Sequence, residues 1–261
     1  MLNYPNIDPV LFKIGPLSFR WYGLMYLLGF SAGYFFLTRQ VKRKGSLLLS
    51  GEAIGDAVTY AAFGVILGGR IGYTLFYNFS YYIHNPVHIL YVWEGGMSFH
   101  GGFLGTLIAM ILYARQRKIS FFQIADLAIP AVPIGLGLGR IGNFINGELF
   151  GRVTDVPWCM VFPMGGPSCR HPSQIYEALL EGVVLFLLLL YLSRKELPRG
   201  VPFWSFIAGY GTFRFLVEFF REPDPQLGLV LGPFSMGQFL SFPMAILGFL
   251  MIFFSLRKPV R

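Results

Sequence analysis

Charge is scarce in this chain. Asp, Glu, Lys and Arg make up 13% of 261 residues, while apolar residues reach 54%. A soluble domain carries about 25% charge, so this composition excludes an ordinary soluble enzyme and points to a polytopic membrane protein. Histidine and cysteine are also rare. Four His and two Cys at unrelated spacings give no metal-ligand pattern, and no cofactor is expected. Cys159 and Cys169 share one polar loop and read as a disulfide or as idle thiols. No long linker, low-complexity tract or internal repeat interrupts the chain. No cleavable signal peptide is expected, because the first 18 residues are mixed polar and broken by proline. The net charge of +8 lies mostly in short loops, where it sets topology; it is not a nucleic-acid signal.

What is abundant fits a bilayer. Aromatics reach 18%, as expected where rings face lipid and headgroups. Gly29/Gly33, Gly64/Gly68/Gly72, Gly101/Gly105 and Gly135/Gly139 place small residues on single helix ridges for close packing. Seven apolar stretches of bilayer-spanning length run near 19–38, 52–77, 97–115, 121–144, 173–192, 202–220 and 236–256. The expected fold is therefore all-α, seven transmembrane helices in a single domain, 1–261. Pro130 and Pro133 should kink the fourth span. Residues 86–94 read as a short interfacial helix ending at Trp93.

Thirteen Lys and Arg fall on one set of span ends, among them Arg39, Arg43, Lys44, Lys258 and Arg261. Only five fall on the other set: Lys13, Arg20, Arg152, Arg170 and Arg221. The positive-inside rule then puts the N-terminus outside and the C-terminus in the cytoplasm.

Three arginines, Arg70, Arg140 and Arg214, sit inside apolar stretches. Each costs on the order of 2.5–3.5 kcal/mol at mid-membrane, so a shared reason is required. On the expected topology they lie in the outer half with Tyr22, His100, Asn143, Ser173, Gln174, Tyr176, Glu177, Glu218 and Arg221. Such one-sided clustering suggests a site for an anionic lipid. Arg140 and Asn143 share a helix face, and Arg214, Glu218 and Arg221 form an i, i+4, i+7 line that is either a self-satisfied ladder or part of the site. Arginine suits phosphate because its planar fork donates two parallel hydrogen bonds and stays charged when desolvated. His100 is either a histidine satisfied by a carbonyl or a general base or proton relay. Tyr22 reads equally as an aromatic-belt residue. The loop 145–172, with Asn146, Glu148, Gly151 and Arg152, is a surface loop or an outer-face cap over the site.

The strings Trp21–Tyr26, Gly68–Gly72, Gly95–Gly102, Gly139–Glu148, Arg170–Glu177 and Arg214–Arg221 resemble bacterial prolipoprotein diacylglyceryl transferase, almost end to end and in order. The loop 145–172 is shorter than in some members. The resemblance implies a multi-pass enzyme of the bacterial cytoplasmic membrane, active towards the outer leaflet. It implies transfer of the diacylglyceryl group of phosphatidylglycerol to the lipobox cysteine of a preprolipoprotein signal peptide, releasing glycerol phosphate. It makes Arg140 and Arg214 the critical arginines, with Arg140 on the headgroup. His100, Tyr22, Asn143 and Gly151 match further functional positions. Arg70, Asn146, Glu148, Gln174, Tyr176, Glu218 and Arg221 complete the expected substrate-binding set. The base stays open among His100, a tyrosine and the arginine field acting on the substrate thiol. Without the resemblance, an anion transporter or a lipid-binding scaffold would explain the arginines as well.

Overall fold

The computed structural model describes residues 2–15, 17–44, 51–92, 95–223 and 229–257; for Leu17, Lys44, Gly51, Phe99, His100 and 229–231 only the backbone is described. Trp93, Lys258 and Arg261 lie outside the described residues. The elements in chain order are β1 (Val10–Ile14), β2 (Leu17–Arg20), α1 (Trp21–Lys44), α2 (Gly51–Phe76), α3 (Phe79–His84), a 3-10 turn (Pro86–Leu90), α4 (Phe99–Gln116), α5 (Phe121–Ala128), a 3-10 turn (Ile129–Ala131), α6 (Val132–Asn146), α7 (Ser173–Glu177), a π-helical segment (Ala178–Val184), α8 (Leu185–Ser193), α9 (Val201–Val217), β3 (Leu229–Leu231), β4 (Phe234–Ser235) and α10 (Met236–Leu256).

Helix covers each of the seven expected spans. Four stretches are long and apolar enough to cross a membrane by length and composition: Glu52–Phe76, Phe121–Asn146, Ser173–Ser193 and Met236–Leu256. The chain is thus a mostly helical, multi-pass membrane protein. Two small antiparallel hairpins, β1–β2 and β3–β4, add strand that the hydropathy pattern does not reveal. The chain divides into two compact units, one of Met1–Phe36 with Ala125–Arg261 and one of Leu37–Ile124.

In the unit 37–124, α2 packs on α4 through glycine. A methyl group on Gly64, Gly68 or Gly72 would lie 2.7, 2.7 or 2.8 Å from the Cα of Thr106, Gly105 or Gly101, so only glycine permits this approach. At the far end of this pair, the Tyr113 hydroxyl donates to the Ala53 carbonyl at 2.6 Å and Arg117 pairs with Asp56.

In the other unit the core gathers Ile129, Leu185, Leu189, Phe206, Ile207 and Tyr210. The proline effect appears as expected: Pro130 sits in the 3-10 turn between α5 and α6, and Pro133 is the second residue of α6. Gly29 meets Gly135, while Gly137 meets Gly182 in the π-helical segment. Gly211 and Gly248 bring α9 and α10 together against the backbone of Ala245 and Ala208. Asp126 caps α9, its carboxylate accepting from the Gly200 and Phe203 amides at 2.6 and 3.1 Å. Helix α6 ends at Gly147, whose φ of +66° suits glycine. The chain then enters the 147–172 loop, held by a Cys159–Cys169 disulfide and by bridges from Val153 and Met160 to Arg170. Within this loop, buried Phe162 stacks on Phe150 and packs at a tilt against Tyr4, and the Tyr4 hydroxyl donates to the Phe144 carbonyl at 2.6 Å.

Candidate functional site

The arginines of α6 and α9 meet two glutamates from the start of the fifth span. Glu177 and Glu181, at i and i+4 on α7 and the π-helical segment, are fully buried. Arg140 Nε lies 3.0 Å from Glu177 Oε2, and Arg140 Nη2 donates to Glu181 Oε2 at 3.4 Å. Arg214 Nη1 pairs with Glu177 Oε1 and Arg214 Nη2 with Glu218 Oε1. Arg221 Nη1 donates to Glu177 Oε1 at 3.0 Å, and the Ser235 hydroxyl donates to Glu218 Oε2 at 2.5 Å. Three arginines thus face three glutamates. Arg140 and Arg214 keep 14% of their side-chain surface open, which is where an anion could reach them.

A second polar group forms at the C-terminal end of α6. Asn143 and Asn146 both donate to Glu148 Oε1, at 2.9 and 3.0 Å. Gln174 donates to the Glu148 carbonyl at 2.7 Å, fixing the turn after α6 to α7. Tyr22 of α1 lays its ring on Gly142, whose missing Cβ would sit 2.9 Å from Tyr22 Cδ2. Gly151 is equally constrained: a Cβ there would come within 2.5 Å of the Phe220 carbonyl and 2.6 Å of His171 Cβ. Its amide donates to the His171 carbonyl at 2.8 Å.

Beside this lies an apolar cavity of about 370 Å³, lined by Val156, Trp158, His171, Tyr176, Leu180, Leu216, Val217 and Phe220. Trp158 Nε1 donates to the Tyr176 hydroxyl at 2.6 Å, and His171 Nδ1 is 3.1 Å from the same hydroxyl. Burial disfavours the charged imidazolium and lowers the His171 pKa from its ordinary value.

The remaining two expected site residues belong to the unit 37–124. Arg70 is buried, and its five N–H donors all meet backbone carbonyls. Nε donates to Ile89 at 2.8 Å, Nη2 to His88 and Tyr91 at 2.5 and 3.0 Å, and Nη1 to Gly95 and Gly96. Its guanidinium also lies over the Tyr82 ring. Arg70 therefore ties His88, Ile89 and Tyr91 to Gly95 and Gly96. His100 is the second residue of α4, and its side chain lies outside the described atoms.

Sequence reasoning noted Glu177 as polar but gave it no role, and it passed over Glu181. The available signal was their i, i+4 spacing within an apolar span. The disulfide resolves the two readings of Cys159 and Cys169 in favour of pairing. The 214–218–221 line is a ladder in part, yet Arg214 and Arg221 both reach across to Glu177.

Fold and site together define a multi-pass helical membrane protein with a buried arginine–glutamate cluster. A family model described as prolipoprotein diacylglyceryl transferase matches residues 9–254. The chain is 61% identical over 259 residues to a protein from Geobacter sulfurreducens named phosphatidylglycerol–prolipoprotein diacylglyceryl transferase, covering 99% of each. It is 56% identical to the protein of that name from Vibrio cholerae, over 98% of this chain and 94% of the other. The one from Aliivibrio salmonicida is 55% identical over 98% and 90%. The chain belongs to the prolipoprotein diacylglyceryl transferase family.

Proposed function

We propose that this chain transfers the sn-1,2-diacylglyceryl group of phosphatidylglycerol to the lipobox cysteine of preprolipoproteins, the first step of bacterial lipoprotein maturation. The observation that carries the reading is the convergence of Arg140 and Arg214, from two helices, on one buried carboxylate. Glu177 holds their guanidinium groups in place before lipid arrives, so no reorganisation is needed at the moment of reaction.

The cysteine sulfur attacks the glycerol carbon that bears phosphate. The C–O bond breaks, a thioether forms, and glycerol phosphate leaves with the bond electrons. Negative charge grows on the departing phosphate oxygen, where Arg140 and Arg214 stabilise it. A free thiol has a pKa of about 8.5, so the thiolate must be generated by a base; His100 accepts or relays that proton. Tyr22, Asn143, Asn146, Glu148 and Gly151 shape the headgroup site. Gln174 and Tyr176 brace it, and Glu218 and Arg221 complete the charge network. Arg70 contributes by holding the carbonyls of His88, Ile89, Tyr91, Gly95 and Gly96.

The chain works as a single transmembrane domain, 1–261, crossing the bacterial cytoplasmic membrane seven times with its N-terminus outside and its C-terminus in the cytoplasm. The loop of about 145–172 caps a site that opens towards the outer leaflet. The loop charges support this orientation, and the disulfide suits an oxidising outer compartment.

The test uses purified protein reconstituted with phosphatidylglycerol and a peptide holding one lipobox cysteine. Mass spectrometry of the peptide should show a diacylglyceryl gain at the sulfur, with glycerol phosphate released in equal amount. Folded protein that yields no gain and instead carries anions across liposomes would replace the enzyme with a transporter.

A further inference from the structure

The cluster around Arg140 and Arg214 is formally neutral before any lipid enters: Arg140, Arg214 and Arg221 face Glu177, Glu181 and Glu218. A phosphodiester brings one negative charge into this buried group. An uncompensated buried ion is expensive, and such a site neutralises rather than keep it. One of the carboxylates is the natural place for a proton, and the geometry singles it out.

The three glutamates are held unequally. Glu177 is gripped by all three arginines, with Arg140 and Arg221 each at 3.0 Å and Arg214 closer still. Glu218 is paired with Arg214 and accepts from the Ser235 hydroxyl at 2.5 Å. Among the described residues Glu181 pairs only with Arg140 at 3.4 Å and Arg214 at 3.9 Å, longer than any arginine contact of Glu177; one oxygen of each carboxylate, Glu181 Oε1 and Glu177 Oε2, accepts no hydrogen bond there. The Glu181 side chain is nonetheless fully buried. The groups facing it are Arg140 from α6, Arg214 and Tyr210 from α9, and Glu177 one turn earlier. The two arginines that hold Glu181 so loosely are those assigned to the phosphate. Once phosphate draws on their charge, Glu181 loses most of its compensation.

We propose that Glu181 takes up a proton from solvent when the phosphate of the lipid binds Arg140 and Arg214, so that anion binding at this site is coupled to protonation. Glu181 is a positioning residue: it balances the arginines in the empty site and surrenders its charge in the filled one. The inference rests on the assignment of these arginines to phosphate. It goes further by naming the group that keeps the filled site neutral.

Calorimetric titration of the wild-type protein with a short-chain phosphatidylglycerol, in two buffers of different ionisation enthalpy at pH 8, counts the protons directly. The expected result is about one proton taken up per lipid bound, with affinity rising by up to tenfold per pH unit as pH falls. The phosphodiester stays singly charged across this range and does not contribute. Glu181→Gln should bind about tenfold more tightly at pH 8 and take up no proton. Glu177→Gln should bind more weakly, because it loosens the arginines. Wild-type binding without proton uptake would overturn the proposal, and so would unchanged uptake in Glu181→Gln. Should Glu181→Gln fail to fold, infrared difference spectra of the wild type decide. Lipid binding must convert a carboxylate band into a protonated carboxyl band, and an unchanged carboxylate region would sink the idea. Failure of the peptide transfer assay with normal proton-coupled lipid binding would instead count against the enzymatic reading alone.

Discussion

The guanidinium of Arg140 lies 3.0 Å, Nε to Oε2, from the fully buried carboxylate of Glu177. The other oxygen of that carboxylate serves Arg214 and Arg221. One side chain thus fixes three arginines drawn from α6, α9 and the turn that follows α9, in a setting where a buried charge left without a partner is costly.

Glu177→Gln should therefore damage both stability and activity. Removing one member of a buried charge group costs about 3–5 kcal/mol, because the partners stay buried and uncompensated. Thermal unfolding in detergent should show a clear fall in melting temperature, with transfer to the lipobox peptide lost together with it. An unchanged melting temperature would mean that the arginines do not depend on Glu177.

Arg70 should respond differently. Lysine has three donors and cannot replace five N–H groups spread over the carbonyls of His88, Ile89, Tyr91, Gly95 and Gly96, and each buried carbonyl left unpaired costs about 1–3 kcal/mol. Arg70→Lys should lower the melting temperature, while phosphatidylglycerol affinity measured well below that temperature changes little. A loss of lipid affinity at unchanged stability would show direct contact with substrate instead.

The disulfide closes a loop with a sequence separation of 10. Replacing both cysteines, Cys159→Ser with Cys169→Ser, should cost about 2–4 kcal/mol. The loss should appear locally as faster proteolysis within 147–172 and faster amide exchange at Met160 and Arg170, whose backbones pair with each other. Equal protection in the oxidised protein and the double variant would show that the bridges alone hold the loop.

Acid should weaken the same region through His171. Burial holds its folded-state pKa below the unfolded value of 6.5. The unfolded chain therefore binds the proton first as pH falls. Stability is fully present above about 6.5 and declines between that value and the lowered folded-state one. His171→Phe should flatten this part of the stability profile, measured as melting temperature against pH. An unchanged slope would place the acid sensitivity elsewhere.

Much of this was legible in the sequence because it is periodic or local. Helices occur at all seven expected spans, and Gly64, Gly68 and Gly72 form the predicted close-packing ridge. Pro130 breaks the fourth span where proline chemistry requires it. The roles of Glu177 and Glu181 were not legible, because each depends on arginines 33 to 44 positions away along the chain, and spacing within one helix carries no record of which partner faces it. The π-helical register from Ala178 to Val184 also leaves no mark in the hydropathy pattern. The two hairpins have strands of two to five residues, too brief for strand alternation to be read. Arg70 looked like a third phosphate ligand because an intramembrane arginine seen in sequence does not reveal backbone carbonyls as its partners.

Arg140 and Arg214 are proposed to hold the phosphate jointly during transfer. The most direct test runs the lipobox-peptide assay with wild-type, Arg140→Ala and Arg214→Ala proteins, each first shown to be folded by its melting transition. The wild type should show a diacylglyceryl mass gain and each variant a rate loss of about 10²-fold or more, the size expected when a preorganised charge-stabilising donor is removed. A folded variant of either kind that turns over near the wild-type rate would contradict it.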